Sequence, residues 1–197
     1  MKVIPTGETL GATVAGIDLA KPLGPADFRA ILKAIGQHGV LRFPMQSLDA
    51  AQLKAFSARF GSLEINVAGA YQEPGHPEVM ILSNIVENGR PIGARDAGQD
   101  WHTDMSYNAT IAFANVLYAL KLPRRDGRPL GGTEFANMRA AYRELPEDSK
   151  RRLDGAARFQ QILVDDANPA RQLAPTADPG AAFSETAGIA PDLSGIM

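Results

Sequence analysis

Residues 100–108 read DWHTDMSYN, placing His102 and Asp104 two apart between an upstream Trp101 and a downstream Tyr107. On a strand, residues two apart leave the same face. An imidazole nitrogen and a carboxylate oxygen can then reach one ion from the same side. That donor pair suits Fe(II), Mn(II) or Zn(II). On spacing alone the motif is weak and a hydrogen-bonded surface pair is the commoner reading, and Trp101 and Tyr107 fit either the wall of a pocket or plain core packing.

Downstream of this stretch, IAFANVLYALKL (111–122) is apolar on both faces and reads as a central strand. Pro123 and RRDGRPLGG form the next turn, GTEFANM leads into a helix MRAAYREL, and Pro146 opens a short charged helix. Beyond about residue 165 the chain is rich in Ala, Pro and Gly with no sustained period. Upstream, TVAGIDL is a short strand candidate. From Pro25 on, Phe28, Ile31, Leu32 and Ile35 recur at helical spacing and predict a helix over 25–37. Gly39 ends it and GVLRF follows as a strand stopped by Pro44. A second helix is expected from about Asp49, with Leu53, Phe56 and Phe60 on one face and Gly61 past its end. Residues 78–86, EVMILSNIV, read as a buried strand bounded by Pro77 and the Asn88-Gly89 turn. No internal repeat is evident.

At 197 residues the chain suits one domain with a sizeable core. Apolar residues are 45% and charged residues 21%, which marks a globular chain rather than a disordered one. A net charge of −2 gives no electrostatic reason to expect nucleic acid or an anionic membrane. The absence of cysteine excludes disulfides and thiolate metal sites and fits a reducing compartment. The first residues lack an apolar signal-peptide core, and the longest apolar run is too short for a membrane span. These features point to a cytoplasmic protein.

The order of landmarks carries more than any one of them. GATVAGIDLAKPL, HGVLRFPMQSL, FSARFG, ILSNI, WHTDMSY and GGTEFANMRAAYRELP, in that order, resemble the TauD/TfdA-like family of non-haem Fe(II)- and 2-oxoglutarate-dependent dioxygenases. The resemblance runs over about residues 8–158. It implies an α+β protein built on a double-stranded β-helix (a cupin-like jelly roll) with flanking helices. It also implies that His102 and Asp104 are the first two ligands of a 2-His-1-carboxylate iron site, and that Thr133 helps hold the cosubstrate 2-oxoglutarate. Trp101, Tyr107, Asn66 and Asn84 are then candidates for the pocket. Asn66 falls near the place where the family's taurine enzyme uses a histidine on the sulfonate, a departure that argues against taurine itself. The implied reaction uses O2 and couples decarboxylation of 2-oxoglutarate to oxidation of a small organic acid such as a sulfonate or aryloxyalkanoate.

The family's third ligand is a later histidine, followed by an arginine for the far carboxylate of 2-oxoglutarate. Only His38 and His76 accompany His102, and both precede it. Arg158 and Arg171 come too early to match the arginine. His38, at the end of a helix, suits a helix-terminal role, and His76 lies in a PGHP segment expected to be an exposed loop. The expected organisation is therefore a partial dioxygenase domain over 1–165, incomplete at its C-terminus, followed by an irregular lid or truncated end over 166–197. The alternative to an enzyme is a non-catalytic remnant acting as a binding or assembly module, associating through an unclosed sheet edge.

Overall fold

The computed structural model describes residues 1–66, 70–95, 100–105 and 111–154. Strand β1 (Lys2–Pro5) pairs antiparallel with β2 (Ala12–Ala15), and β2 pairs in parallel with β3 (Leu41–Arg42). The parallel pairing requires a crossover, and helix α1 (Pro25–His38) supplies it. Pro25 occupies the first turn, where its missing N–H costs nothing, and Gly39 at φ 70° ends the helix by donating to the Ile35 carbonyl. Of the face read from the sequence, Ile31 and Ile35 are buried with Ala34 in the core cluster that holds Val14 and Leu41, Phe28 is half-buried, and Leu32 turns outward to solvent.

Helix α2 (Ala50–Ser57) starts at a capping box, in which Asp49 Oδ1 accepts from Gln52 N at 2.8 Å and Gln52 Oε1 accepts from Asp49 N at 2.9 Å. Its last turn tightens into a 3₁₀ turn over Ala58–Phe60, so the α-helix stops short of Phe60. This turn carries Phe60 into an edge-to-face row with Phe56 and Phe28, centroids 5.4 and 5.1 Å away, and Phe56 continues it to Phe43 at 5.8 Å. Gln46 closes the end of this core. Its amide accepts from Leu19 N at 2.8 Å and donates to the Ile17 and Pro44 carbonyls, each at 3.1 Å, so three groups of the buried loops are satisfied by one side chain.

Past α2 the strands come as local hairpins. β4 (Gln72–Glu73) pairs with β5 (His76–Met80), β6 (Val86–Glu87) with β7 (Arg90–Pro91), and β8 (Arg124–Arg125) with β9 (Arg128–Pro129). Two of the turns are Asn88-Gly89 and Asp126-Gly127, all four residues at positive φ, the geometry whose twist matches a two-residue hairpin. The predicted strand over 78–86 is split. β5 opens two residues earlier, at His76, so His76 is a half-buried strand residue rather than an exposed loop residue. Residues 81–83 then pair with 92–94 through Ala94 N to Ile81 O and Ser83 N to Ala94 O, both 2.9 Å. Gly93 is buried there. A Cβ on it would sit 2.7 Å from Ser83 N and 2.8 Å from Ile81 O, so only glycine allows that close approach.

Helices α3 (Met138–Glu144) and α4 (Glu147–Leu153) fall where the sequence placed them. Asn137 caps α3 and also donates to Thr9 O at 2.7 Å, fastening it to the β1–β2 loop. Two expectations fail. Residues 100–105 are a bend and a turn, with Met105 at φ 57°, and 111–122 form no ladder among the described residues. A run of strand-forming residues becomes a strand only when a neighbour completes its hydrogen bonds, and the described residues supply none to 111–122. The content is mixed helix and strand, and the described strands make one three-stranded sheet and three hairpins.

Candidate metal centre

The site is anchored by a segment that keeps the contacts of a strand without its ladder. Ala114, Val116 and Tyr118, alternating along 111–122, pack against the buried core, and the Tyr118 hydroxyl lies 3.0 Å from Leu48 N and 3.3 Å from Gln46 O. Leu48 N donates to that oxygen, and the hydroxyl can donate onward to Gln46 O. Asn115, between two core-facing residues, turns the other way and donates its side-chain amide to Asp104 Oδ2. Phe113 stacks on Phe60 at 6.2 Å, a second fastening of the segment to the aromatic row.

His102 and Asp104 come together from the bend and turn. His102 Nε2 lies 3.0 Å from Asp104 Oδ1, and His102 Nδ1 lies 2.6 Å from the Asp100 carbonyl oxygen. A carbonyl can only accept, so Nδ1 carries the proton of that bond. In the neutral imidazole, Nε2 then presents a lone pair to a carboxylate oxygen, and two acceptors at this distance repel. A cation between them removes the conflict. It can be a proton, giving an imidazolium–carboxylate pair, or a metal ion, for which the fixed tautomer leaves Nε2 ready.

The separation fits a metal as well as a proton. Ligands about 2.1 Å from an ion and at right angles, as adjacent octahedral positions are, stand about 3.0 Å apart. The donor set, one imidazole and one carboxylate, is of the type that borderline divalent ions take. About two-fifths of each side chain is exposed, so the pair is open to solvent. An exposed ion pair of this kind contributes little to stability, about 0–1 kcal/mol. Among the described residues no group of three His, Asp or Glu side chains is placed to hold a metal ion.

Trp101 is 69% exposed beside the pair, and Asn66 and Asn84 are exposed on other loops. Thr133 is exposed between β9 and α3. Tyr107, Arg158, Arg171 and the whole of 166–197 lie outside the described residues. His38 ends α1, where its carbonyl accepts from Gly11 N and Val40 N at 2.8 Å.

Two things went unread in the sequence. One is Asn115, an isolated polar residue in an apolar run, and that interruption is the signal that could have flagged it. The other is Glu78, which together with Lys54 joins β5 to α2 at 2.5 Å. The hydrogen bond from the Lys54 ammonium holds the Glu78 carboxyl below the ordinary carboxylate range, aided by its own backbone N–H. Its second oxygen and His76 Nδ1 are buried without a hydrogen-bond partner.

Comparison with known proteins decides what this arrangement belongs to. The model of the taurine catabolism dioxygenase TauD, TfdA family matches residues 2–176. The chain belongs to the TauD/TfdA family. It is 37% identical over 153 residues to the alpha-ketoglutarate-dependent 2,4-dichlorophenoxyacetate dioxygenase of Burkholderia sp. strain RASC, covering 72% of this chain and 50% of that protein. It is 35% identical over 150 residues to pentalenolactone F synthase of Streptomyces avermitilis, covering 75% of this chain and 48% of the relative. The solved taurine dioxygenase of Burkholderia xenovorans superposes with a TM-score of 0.60 at 27% identity, over 82% of this chain and 55% of that one. The chain thus spans about half the length of the curated relatives it matches. Among the described residues no helix is long and apolar enough to cross a membrane.

Proposed function

We propose that this chain carries the His-x-Asp half of the metal site of an Fe(II)- and 2-oxoglutarate-dependent dioxygenase of the jelly-roll type. The observation that carries the reading is the His102–Asp104 pair, with its tautomer set by Asp100 and its two acceptors facing at 3.0 Å. Family membership supports the same reading, and so do relatives named for alpha-ketoglutarate-dependent oxidation of aryloxyalkanoates. His102 Nε2 and Asp104 Oδ1 would hold the metal. Iron with 2-oxoglutarate and O2 supplies the oxidising chemistry when bound.

The chain's own residues bind and orient. The Asp100 carbonyl keeps the His102 ring in one tautomer, and the exposed Thr133 hydroxyl is a donor for a carboxylate of the cosubstrate. Of the family's substrate classes, a small organic acid such as an aryloxyalkanoate or sulfonate is the reading taken here, in a cytoplasmic setting that an absence of cysteine suits. The dioxygenase domain over 1–165 would carry these residues.

Equilibrium dialysis of 2-oxoglutarate against the chain, with and without Mn(II) as a redox-silent stand-in, tests the reading. Binding should need both the metal and His102. Binding should be weak, for want of the later histidine and arginine; binding that is the same without metal, or unchanged in His102→Ala, overturns the proposal.

A further inference from the structure

We propose that Asn115 is a positioning residue for the metal pair, acting through Asp104; the proposal rests on the metal reading above. A carboxylate in a turn can rotate and offer either oxygen, or both, to an ion. Asn115 removes that freedom by donating its amide hydrogen to Asp104 Oδ2, which leaves Oδ1 as the oxygen that faces His102 Nε2 at 3.0 Å. The donor is itself held. Its neighbours Ala114 and Val116 are packed on the core, and two residues on, the Tyr118 hydroxyl is tied to Leu48 N and Gln46 O. The rigid core therefore sets where the amide sits, and the amide sets which way the carboxylate turns.

The chemistry of the side chain matters as well as its place. A carboxamide donates without adding charge, so it orients the carboxylate while leaving its full negative charge for the cation. A lysine or arginine at this position would compete with the metal for Asp104, and an aspartate would repel it. An apolar residue of the same shape would pack but take away the donor on Oδ2. His102 is fixed from its other side by the Asp100 carbonyl, so among the described residues each of the two donors has an orienting partner.

The test compares Mn(II) affinity, read from the EPR signal of free Mn(II), for the whole chain and its Asn115→Leu, Asn115→Ala, Asp104→Ala and His102→Ala variants. Loss of an orienting partner of a ligand lowers metal affinity about 10–100-fold, and both Asn115 variants should fall in that range. The decisive readout is the thermal midpoint of the metal-free chain, which Asn115→Leu and Asn115→Ala should leave in place while both lose Mn(II) affinity, because the amide reaches the ion only through the orientation of Asp104. A merely structural role would instead lower that midpoint in both variants, or lower Mn(II) affinity only in the variant whose midpoint falls. Either result overturns the proposal, as does unchanged affinity in both Asn115 variants while Asp104→Ala and His102→Ala lose binding. If His102→Ala and Asp104→Ala bind Mn(II) as the parent does, the metal reading itself fails and Asn115 falls with it.

Discussion

The chain from Ala12 to Phe56 and the strip from Asp100 to Leu122 are built on opposite principles. Every buried hydrophobic residue among the described residues lies in the first, with Ile31, Leu41, Phe43 and Val14 almost wholly sealed. The described residues of the second include none, and its Trp101, Leu120 and Leu122 are largely exposed. Yet the second holds the His102–Asp104 pair, and it is held in turn by the first through Ala114, Val116 and Tyr118. A region with little packing of its own can still place side chains, provided a few of its residues are seated on one that has it.

The largest effect should come from striking the core. Phe43→Ala removes a ring that is 1% exposed and stands edge-to-face with Phe56, and should cost about 3–5 kcal/mol in urea unfolding. If the strip depends on the core as described, the His102–Asp104 geometry should be lost in the same transition. A variant that unfolds its helices while keeping an ordered site would break the comparison.

Gln46→Leu is a subtler cut at the join. It keeps the volume but strands the Leu19 N–H and the Ile17 carbonyl, which the amide now satisfies. A loss of about 1–3 kcal/mol is expected. Little change on urea unfolding would show that water replaces the amide and that the loop closure there matters less than its geometry suggests.

The Lys54–Glu78 pair ties the core helix to a hairpin, and its prediction is one of sign. The Glu78 carboxyl is held low by the Lys54 hydrogen bond, so its folded pKa lies below its unfolded one. Its stabilisation is then present above the unfolded value and is lost as pH falls through the folded one. The urea midpoint should drop on acidification, and Lys54→Met should flatten that dependence. Parallel curves for the two proteins would contradict it.

The smallest effect belongs to the strip itself. Trp101 is the only tryptophan and is 69% exposed, so Trp101→Ala should change stability by no more than about 0.5 kcal/mol. For the same reason its emission should barely shift on unfolding. A blue-shifted native emission would place Trp101 against packed surface and return it to the role of a pocket wall.

Legibility in the sequence followed the same division. The helices announce themselves through local signals: Pro25, the Asp49 cap, Gly39 and the spacing of Phe28, Ile31 and Ile35 all act within a few residues. Both hairpin turns with Asn-Gly or Asp-Gly were equally local. The strands at 100–105 and 111–122 failed because a strand depends on a partner that no local pattern supplies. The site was half legible. The spacing of His102 and Asp104 marked them as a pair, although a turn rather than a strand brings them together. Asn115 shows in the sequence only as a polar break in an apolar run, since its role depends on a contact eleven residues back. His76 misled for a related reason, because β5 starts within the turn that PGHP suggested.

The central claim is that one cation sits between His102 and Asp104, and the three histidines make it directly testable. Paramagnetic Mn(II), added below stoichiometry to the ¹⁵N-labelled chain, broadens the imidazole signals nearest to it. His102 should broaden first, with His38 and His76 left sharp, and the effect should vanish in Asp104→Ala. Broadening centred on His76 or His38, or spread evenly over all three, would contradict it.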